Sequence, residues 1–269
     1  MMEEYYYNLS PARRDTYGYA NARRHRRNKR HKRRKLSRKF VTLLAAVFLL
    51  ATCMGLTPVS TVLLHAKGCP DDIIQVVKAH PSTFWNALHF SETEVSETSI
   101  DISEEVVRED VPNFQQWDKR WGYGLYGSGH LAANGCGPTC LSMIYCSRTN
   151  DLEWNPLRMA EWSNQNGYYV DGVGTEWKLM DEGAQKLGLS VQKVTPSEDE
   201  IVSALYQGKA IICIMGRGNF TSSGHYIVLS GITDKGRVIV NDPNSHWRSF
   251  RKWDAGTIAS QAQQMWIYD

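Results

Sequence analysis

The chain is short of cysteine, of repeats and of spacers. Its 269 residues carry 6 Cys, too few for a disulfide scaffold. No internal repeat recurs, which excludes a solenoid or array, and no Gly/Ser-rich spacer marks a flexible join. Charge is absent altogether from Phe40 to Leu64, a run of 25 residues. Acidic residues are scarce in the first 39 residues, where 14 Lys or Arg stand against 3 Asp or Glu for a net +11. The other 230 residues hold 17 basic and 25 acidic residues, net −8, so two stretches of opposite charge share one chain. What the chain does have is a hydrophobic content of 42% with 9 Trp and 13 Tyr, which excludes a wholly disordered or collagen-like protein. Beyond the head and the apolar run remain about 200 residues, enough for one well-buried domain but hardly for two.

The uncharged run is long enough to cross the roughly 30 Å hydrocarbon core as a tilted helix, and a buried core helix rarely lacks charge over such a length. Lys and Arg density before the run far exceeds that after it, which holds the N-terminus in the cytoplasm and sends the rest outside. A cleavable signal peptide has the same order of regions. The 39-residue basic region, the length of the apolar run and the want of a clear A-x-A site near Leu64 favour an uncleaved anchor. The basic head, densest from Arg23 to Lys39, has no apolar period and is expected to be solvated. Anionic lipid headgroups are its expected counter-charge, at on the order of 1 kcal/mol per basic residue near the surface; no specific nucleic-acid partner is expected. The chain thus divides into a basic cytoplasmic tail (1–39), a transmembrane helix (40–64), a helical stalk with an acidic linker (65–110) and an extracellular domain (111–269).

In the stalk, Asp71-Asp72 and Pro81-Ser82 open two short helices with apolar spacing at Ile73, Val76, Val77, Phe84 and Leu88. Ser91 to Asp110 carries 8 acidic residues against Arg108 and reads as a linker, with one edge strand where Ile100 and Ile102 alternate. From Val111 onward, helices are predicted at Cys136 to Ser147, after Asn155-Pro156, from Thr175 through EWKLMDEGAQKL, and after the capping box Ser197-Glu198-Asp199-Glu200. Strands are predicted at Ala210 to Met215, His225 to Ile232, Arg237 to Asp242 and Met265 to Tyr268. Helices early and an antiparallel sheet late make an α+β domain.

Gly135-Cys136-Gly137-Pro138-Thr139 sits at a helix entrance. A thiol there points at unpaired backbone N–H groups and the positive end of the helix dipole, which favours thiolate, and the two glycines leave room for another chain to approach closely. A Cys nucleophile needs a base from elsewhere in the chain. His130, His225 and His246 lie in the domain, and His225, opening a strand after Gly224, is the best placed. The neighbouring strand ends in Asp242-Pro243-Asn244, so an orienting group is offered by Asp242 or by Asn244. Oxyanion donors are expected from the Cys136 N–H and a side-chain amide, with Gln116, 20 residues before the thiol, as candidate. Cys140 lies four residues after Cys136 on one helix face. No second Cys/His pair at finger-like spacing joins Cys140, Cys146 and His225, so neither a metal nor a cofactor is called for. Cys140, Cys146 and Cys213 read as core packing, and any disulfide among them and Cys69 stays open.

Gln116-Trp117-Asp118-Lys119-Arg120-Trp121, then Asn134 to Met143, Gly224 to Leu229 and Val240 to Pro243 together resemble the C39-like branch of papain-fold cysteine peptidases over Val111 to Asp269. The resemblance implies a papain-like α+β fold and a peptide or protein substrate. It implies Cys136 as nucleophile, His225 as base, Asp242 as orienting residue and Gln116 as oxyanion donor. The peptidases that give the family its name trim double-glycine leaders on the cytoplasmic side of an exporter, whereas this chain has no ATPase motif and its domain is expected outside. Two other readings stand beside it: a catalytically idle peptide-binding module, and an amidase or acyltransferase acting on cell-wall peptides.

Overall fold

The structure, a computed structural model, describes residues 39–52, 57–93, 95, 100–108 and 110–269. The predicted tail, apart from Lys39, and residues 53–56 of the predicted span lie outside the described residues. The described parts of the span form a helix over 39–52 and a helix at Pro58–Ala66. Among the described residues no helix is long and apolar enough to cross a membrane. Contacts divide the chain into a unit ending at Ser60 and a second unit running from Thr61 to Asp269.

The second unit is built around six antiparallel strands, β1 (Val191–Val194), β2 (Ala210–Met215), β3 (His225–Ile232), β4 (Val238–Asn241), β5 (Lys252–Trp253) and β6 (Ala262–Tyr268), in the order β1-β6-β2-β3-β4-β5. Side chains of a strand alternate between faces, and here both faces are covered. Ile212, Ile214, Tyr226, Val228, Trp266 and Tyr268 pack with helix residues Cys140, Leu141, Met143 and Ile144. The intervening Ile211, Cys213, Met215, Ile227, Leu229, Met265 and Ile267 pack with Ile201, Leu205 and Ile258 on the other side. That double coverage is why AIICIM is apolar without a break: all six residues of β2 are buried, each aliphatic side chain worth roughly 1.5–3 kcal/mol against exposure.

The helices that position the site are α1 (Asp71–Ala79), α2 (Cys136–Thr149), α3 (Pro156–Gln165), α4 (Glu198–Tyr206) and α5 (His246–Phe250). Their starts follow local chemistry. The Asn155 side chain accepts from the N–H groups of Leu157 and Arg158, with Pro156 at the first turn. Ser197 accepts from the Glu200 N–H at 3.1 Å, the first half of a capping box. From α1 and the turn after it, Ile73, Ile74, Val77, Phe84 and Ala87 are buried in one cluster with Ala132, against which Trp117 and Tyr123 also pack.

Two local expectations are corrected, and one strand was not expected. The helix predicted from Thr175 is broken into a 3-10 turn at Trp177–Leu179 and a helix at Glu182–Lys186, because the Asp181 side chain accepts the Glu182 N–H and starts a new helix. In place of an edge strand at Ile100 and Ile102 there is a helix, Ser103–Arg108, with Asp101 accepting from the Ser103 N–H and Ile102 fully buried. Strand β1 was missed, since it is a sheet edge whose middle residues, Gln192 and Lys193, are polar and exposed.

Candidate active site

Cys136 is the first residue of α2, and no side chain caps that helix at Gly135. Its sulfur therefore lies where helix N–H groups lack carbonyl partners. A Cβ at Gly135 would meet the Leu131 carbonyl at 2.5 Å, and one at Gly137 would meet the Thr175 side chain at 2.5 Å. The space beside these two glycines, expected to admit another chain, is thus taken by Leu131 and Thr175 of this chain.

His225 opens β3 opposite Met215 and is 6% exposed. Its Nε2 lies 2.8 Å from Asp242 Oδ1. That contact fixes the proton on Nε2 and leaves Nδ1 for Cys136, the ring's other hydrogen-bonding partner. Burial pushes the Cys136 thiol up, but hydrogen bonding and charge from His225, with the backbone N–H groups of Tyr226 and Gly137, outweigh it and bring the thiol below its ordinary value. Burial lowers His225, and the Asp242 hydrogen bond, Cys136 and the charges of both overcome it, raising the imidazole to about 9. The pair can rest as thiolate and imidazolium.

Asp242 follows the last residue of β4 and is 0% exposed. Burial pushes its carboxyl up, and the hydrogen bonds and charges of His225 and Arg248 hold it below the usual carboxylate range. Besides His225, Oδ1 accepts from the Asn244 N–H at 2.8 Å, and Oδ2 accepts from Arg248 Nε. Its own N–H donates to Ser249 Oγ at 2.9 Å, and its carbonyl accepts from Gln115 Nε2 at 3.0 Å. Of the two candidate orienting residues, the Asp242 side chain meets His225. The Asn244 side chain turns away, its Oδ1 lying 2.8 Å from His80 Nε2.

Gln116 is 2% exposed and bridges the two sides of the site. Its backbone N–H donates to the Pro243 carbonyl, next to Asp242, at 2.8 Å. Its Nε2 donates to the Ala132 carbonyl, in the turn before Cys136, at 2.8 Å, which leaves one side-chain N–H free. Sequence reasoning missed Arg248 and Ser249. The signal was present in Ser245, whose side chain accepts the Arg248 N–H and starts the short α5 that folds both residues back over Asp242.

The described cysteines are free thiols. Burial raises Cys140 well above its ordinary value, raises Cys213 strongly, and pushes Cys146 up to about 12 and Cys69 to about 11. Among the described residues no group of three or more His, Cys, Asp or Glu side chains could hold a metal ion.

The Peptidase_C39 like family model matches residues 108–268. Among solved structures, the crystal structure of the peptidase domain of Streptococcus ComA, a bi-functional ABC transporter involved in a quorum sensing pathway, is similar to 50% of this chain and 89% of that chain at 18% identity, with a TM-score of 0.39. No curated protein matches the chain.

Proposed function

This chain belongs to the Peptidase_C39 like family, and we propose from that premise that it is a membrane-anchored cysteine peptidase that hydrolyses peptide bonds outside the cytoplasm. One observation carries the chemistry: His225 stands between a thiol below its ordinary pKa and a fully buried carboxylate 2.8 Å from Nε2. In this reading the Cys136 thiolate attacks the scissile carbonyl carbon. The oxyanion takes hydrogen bonds from the Cys136 N–H and the free side-chain N–H of Gln116. The His225 imidazolium passes its proton to the leaving amine, giving a thioester. Water, deprotonated by His225, then attacks the thioester and releases the acid, leaving the Cys136 thiolate beside the His225 imidazolium, while Asp242 holds the ring in one orientation throughout. The full chain incubated with secreted peptides and cell-wall fragments, followed by mass spectrometry, should yield cleaved peptides. Cys136→Ala should abolish them; retained cleavage by a folded Cys136→Ala chain would remove the proposal.

The anchor belongs to the same proposal. It is supported by the uncharged run at 40–64 and the charge step before it. Along the helix over 39–52, Phe40, Val41, Leu43, Leu44, Val47, Phe48, Leu49 and Leu50 are exposed apolar residues, as lipid contact requires. Protease added to intact cells should digest an epitope at the C-terminus and spare one at the N-terminus; the reverse pattern would refute an external domain. The basic tail is read as a binder of anionic lipid headgroups. Its peptide should leave anionic vesicles as salt rises, because screening shortens the field to about 8 Å at physiological ionic strength.

A further inference from the structure

We propose that the helical segment Asp71 to Phe90, which precedes the residues matched by the family, is a working part of the active site, and that its His80 is a positioning residue for Asp242. The inference rests on the reading of Cys136 and His225 as the catalytic pair.

The segment touches the site from two sides. On the carboxylate side, His80 Nε2 meets Asn244 Oδ1 at 2.8 Å, and the backbone N–H of that same Asn244 donates to Asp242 Oδ1, the oxygen that receives His225. On the thiol side, Asp72 Oδ2 accepts from both the His130 N–H and His130 Nδ1 at 2.8 Å. That turn runs on to Ala132, whose carbonyl holds the Gln116 side chain, and to Cys136. The stretch 243–245 is otherwise held through Pro243 and Ser245, Ser245 accepting the Arg248 N–H with its side chain and the Ser249 N–H with its carbonyl. Gln116 binds the Pro243 carbonyl, and the Ser245 N–H reaches back to the Asp242 carbonyl at 3.2 Å. Without His80 nothing among the described contacts fixes the Asn244 side chain.

His80 is itself held. Its N–H closes the end of α1 on the Val76 carbonyl at 2.7 Å, and its carbonyl accepts from Thr83 Oγ1 at 2.8 Å. Its ring stacks on Trp117 with centroids 4.9 Å apart, and Trp117 in turn makes a T-shaped contact with His246, centroids 5.0 Å apart. Burial keeps its imidazole below the ordinary value. The Asn244 hydrogen bond and the Asp242 charge oppose that, while Arg248 and His246 add to it. A neutral ring with its proton on Nε2 donates to Asn244 Oδ1, the geometry observed. A chain that displaces the segment would therefore loosen Asp242 without touching Cys136 or His225.

The test uses the full chain and measures iodoacetamide alkylation at Cys136 across pH, by peptide mapping. Loosening Asp242 weakens its hold on the His225 imidazolium, so the acid limb of the profile moves up. For His80→Ala a rise of one pH unit is expected, which slows alkylation about tenfold at pH values below the wild-type limb. His80→Gln, whose amide N–H can reach Asn244 Oδ1, should restore the limb to within about twofold in rate. Asn244→Ala removes the acceptor but keeps the backbone N–H, and should reproduce the shift if His80→Ala does not fold. Alanine and glutamine variants that lower the melting temperature alike yet leave the limb at its wild-type place would overturn the proposal. Absence of fast alkylation at pH 6 in the wild type would instead remove the catalytic pair, and this inference with it.

Discussion

Cys136 and Cys140 are the same residue type, one turn apart on one helix, and their surroundings pull them in opposite directions. Cys140 is fully buried between the helix and the sheet, and burial first, with the charges of Cys136, Asp242 and Cys213 adding to it, lifts its thiol far above the ordinary value. Burial also pushes Cys136 up, but at the helix entrance the His225 ring and the N–H groups of Tyr226 and Gly137 meet the sulfur and reverse the sign. Reactivity is thus set by what faces the thiol at one turn of the helix. The charge there is not local to α2: it comes from the first residue of β3 and is held by the residue after β4.

The largest effect should leave that contrast intact. Gln116→Ala removes the proposed side-chain oxyanion donor, so peptide turnover should fall roughly 10²- to 10³-fold. Alkylation of Cys136 and Cys140 should stay at wild-type rates, because neither thiol's charge depends on Gln116. Equal loss of turnover and alkylation would show that Gln116 supports the thiolate instead.

Next in size is the substitution that erases the contrast. In His225→Ala the Cys136 thiol keeps its burial and loses its cation. A thiol of about 8.5 is almost wholly protonated at pH 6, so alkylation there should slow on the order of 10²-fold while Cys140 stays unreactive in both proteins. The sign of the linked stability follows from the raised imidazole. It is present in full below about 6.5, the unfolded value, and is lost as pH rises through about 9. The lowered Cys136 thiol acts with the opposite sign, so the comparison is made in a Cys136→Ala background, where the melting-temperature gap between His225 and His225→Ala should narrow from pH 6 to pH 10. A constant gap would mean that the imidazolium is not favoured by folding.

Asp242→Asn should act more weakly. The amide can still orient the ring, but it removes the charge that helps hold His225 up. The acid limb of Cys136 alkylation should rise by about one unit, a change of about tenfold in rate at pH values below the wild-type limb. The partly exposed Arg248 guanidinium would also lose its charge partner. An unchanged limb would show that Asp242 serves geometry alone.

Much of this candidate site was legible because its proposed members sit at punctuation marks in the chain. Cys136 lies between glycines at a helix start, His225 follows Gly224 at a strand start, and Asp242 precedes Pro243 at a strand end. Each boundary has a local cause that the residues themselves display. The supports were not legible for the opposite reason. His80 and Asn244 are 164 residues apart, and Asp72 and His130 are 58 apart; no periodicity links such pairs, and only the fold brings them together. Strand β1 and the break at Asp181 escaped notice for a third reason, since a polar edge strand and a side-chain cap inside an apparently continuous helix leave no apolar signature.

The smallest effect tests the buried member of the comparison. Cys140→Ala deletes one sulfur from the core, where the thiol packs among the residues between α2 and the sheet. A cavity of that size should cost on the order of 1 kcal/mol, which for a domain of this length lowers the melting temperature by about 2–4 °C. Cys136 should be alkylated at the wild-type rate at every pH, since a protonated thiol one turn away carries no charge to act on its neighbour. A tenfold change in the Cys136 rate would mean that Cys140 is ionised beside it, and that burial does not separate the two thiols. Scanning calorimetry together with peptide mapping of the alkylated chain reads both quantities from one preparation.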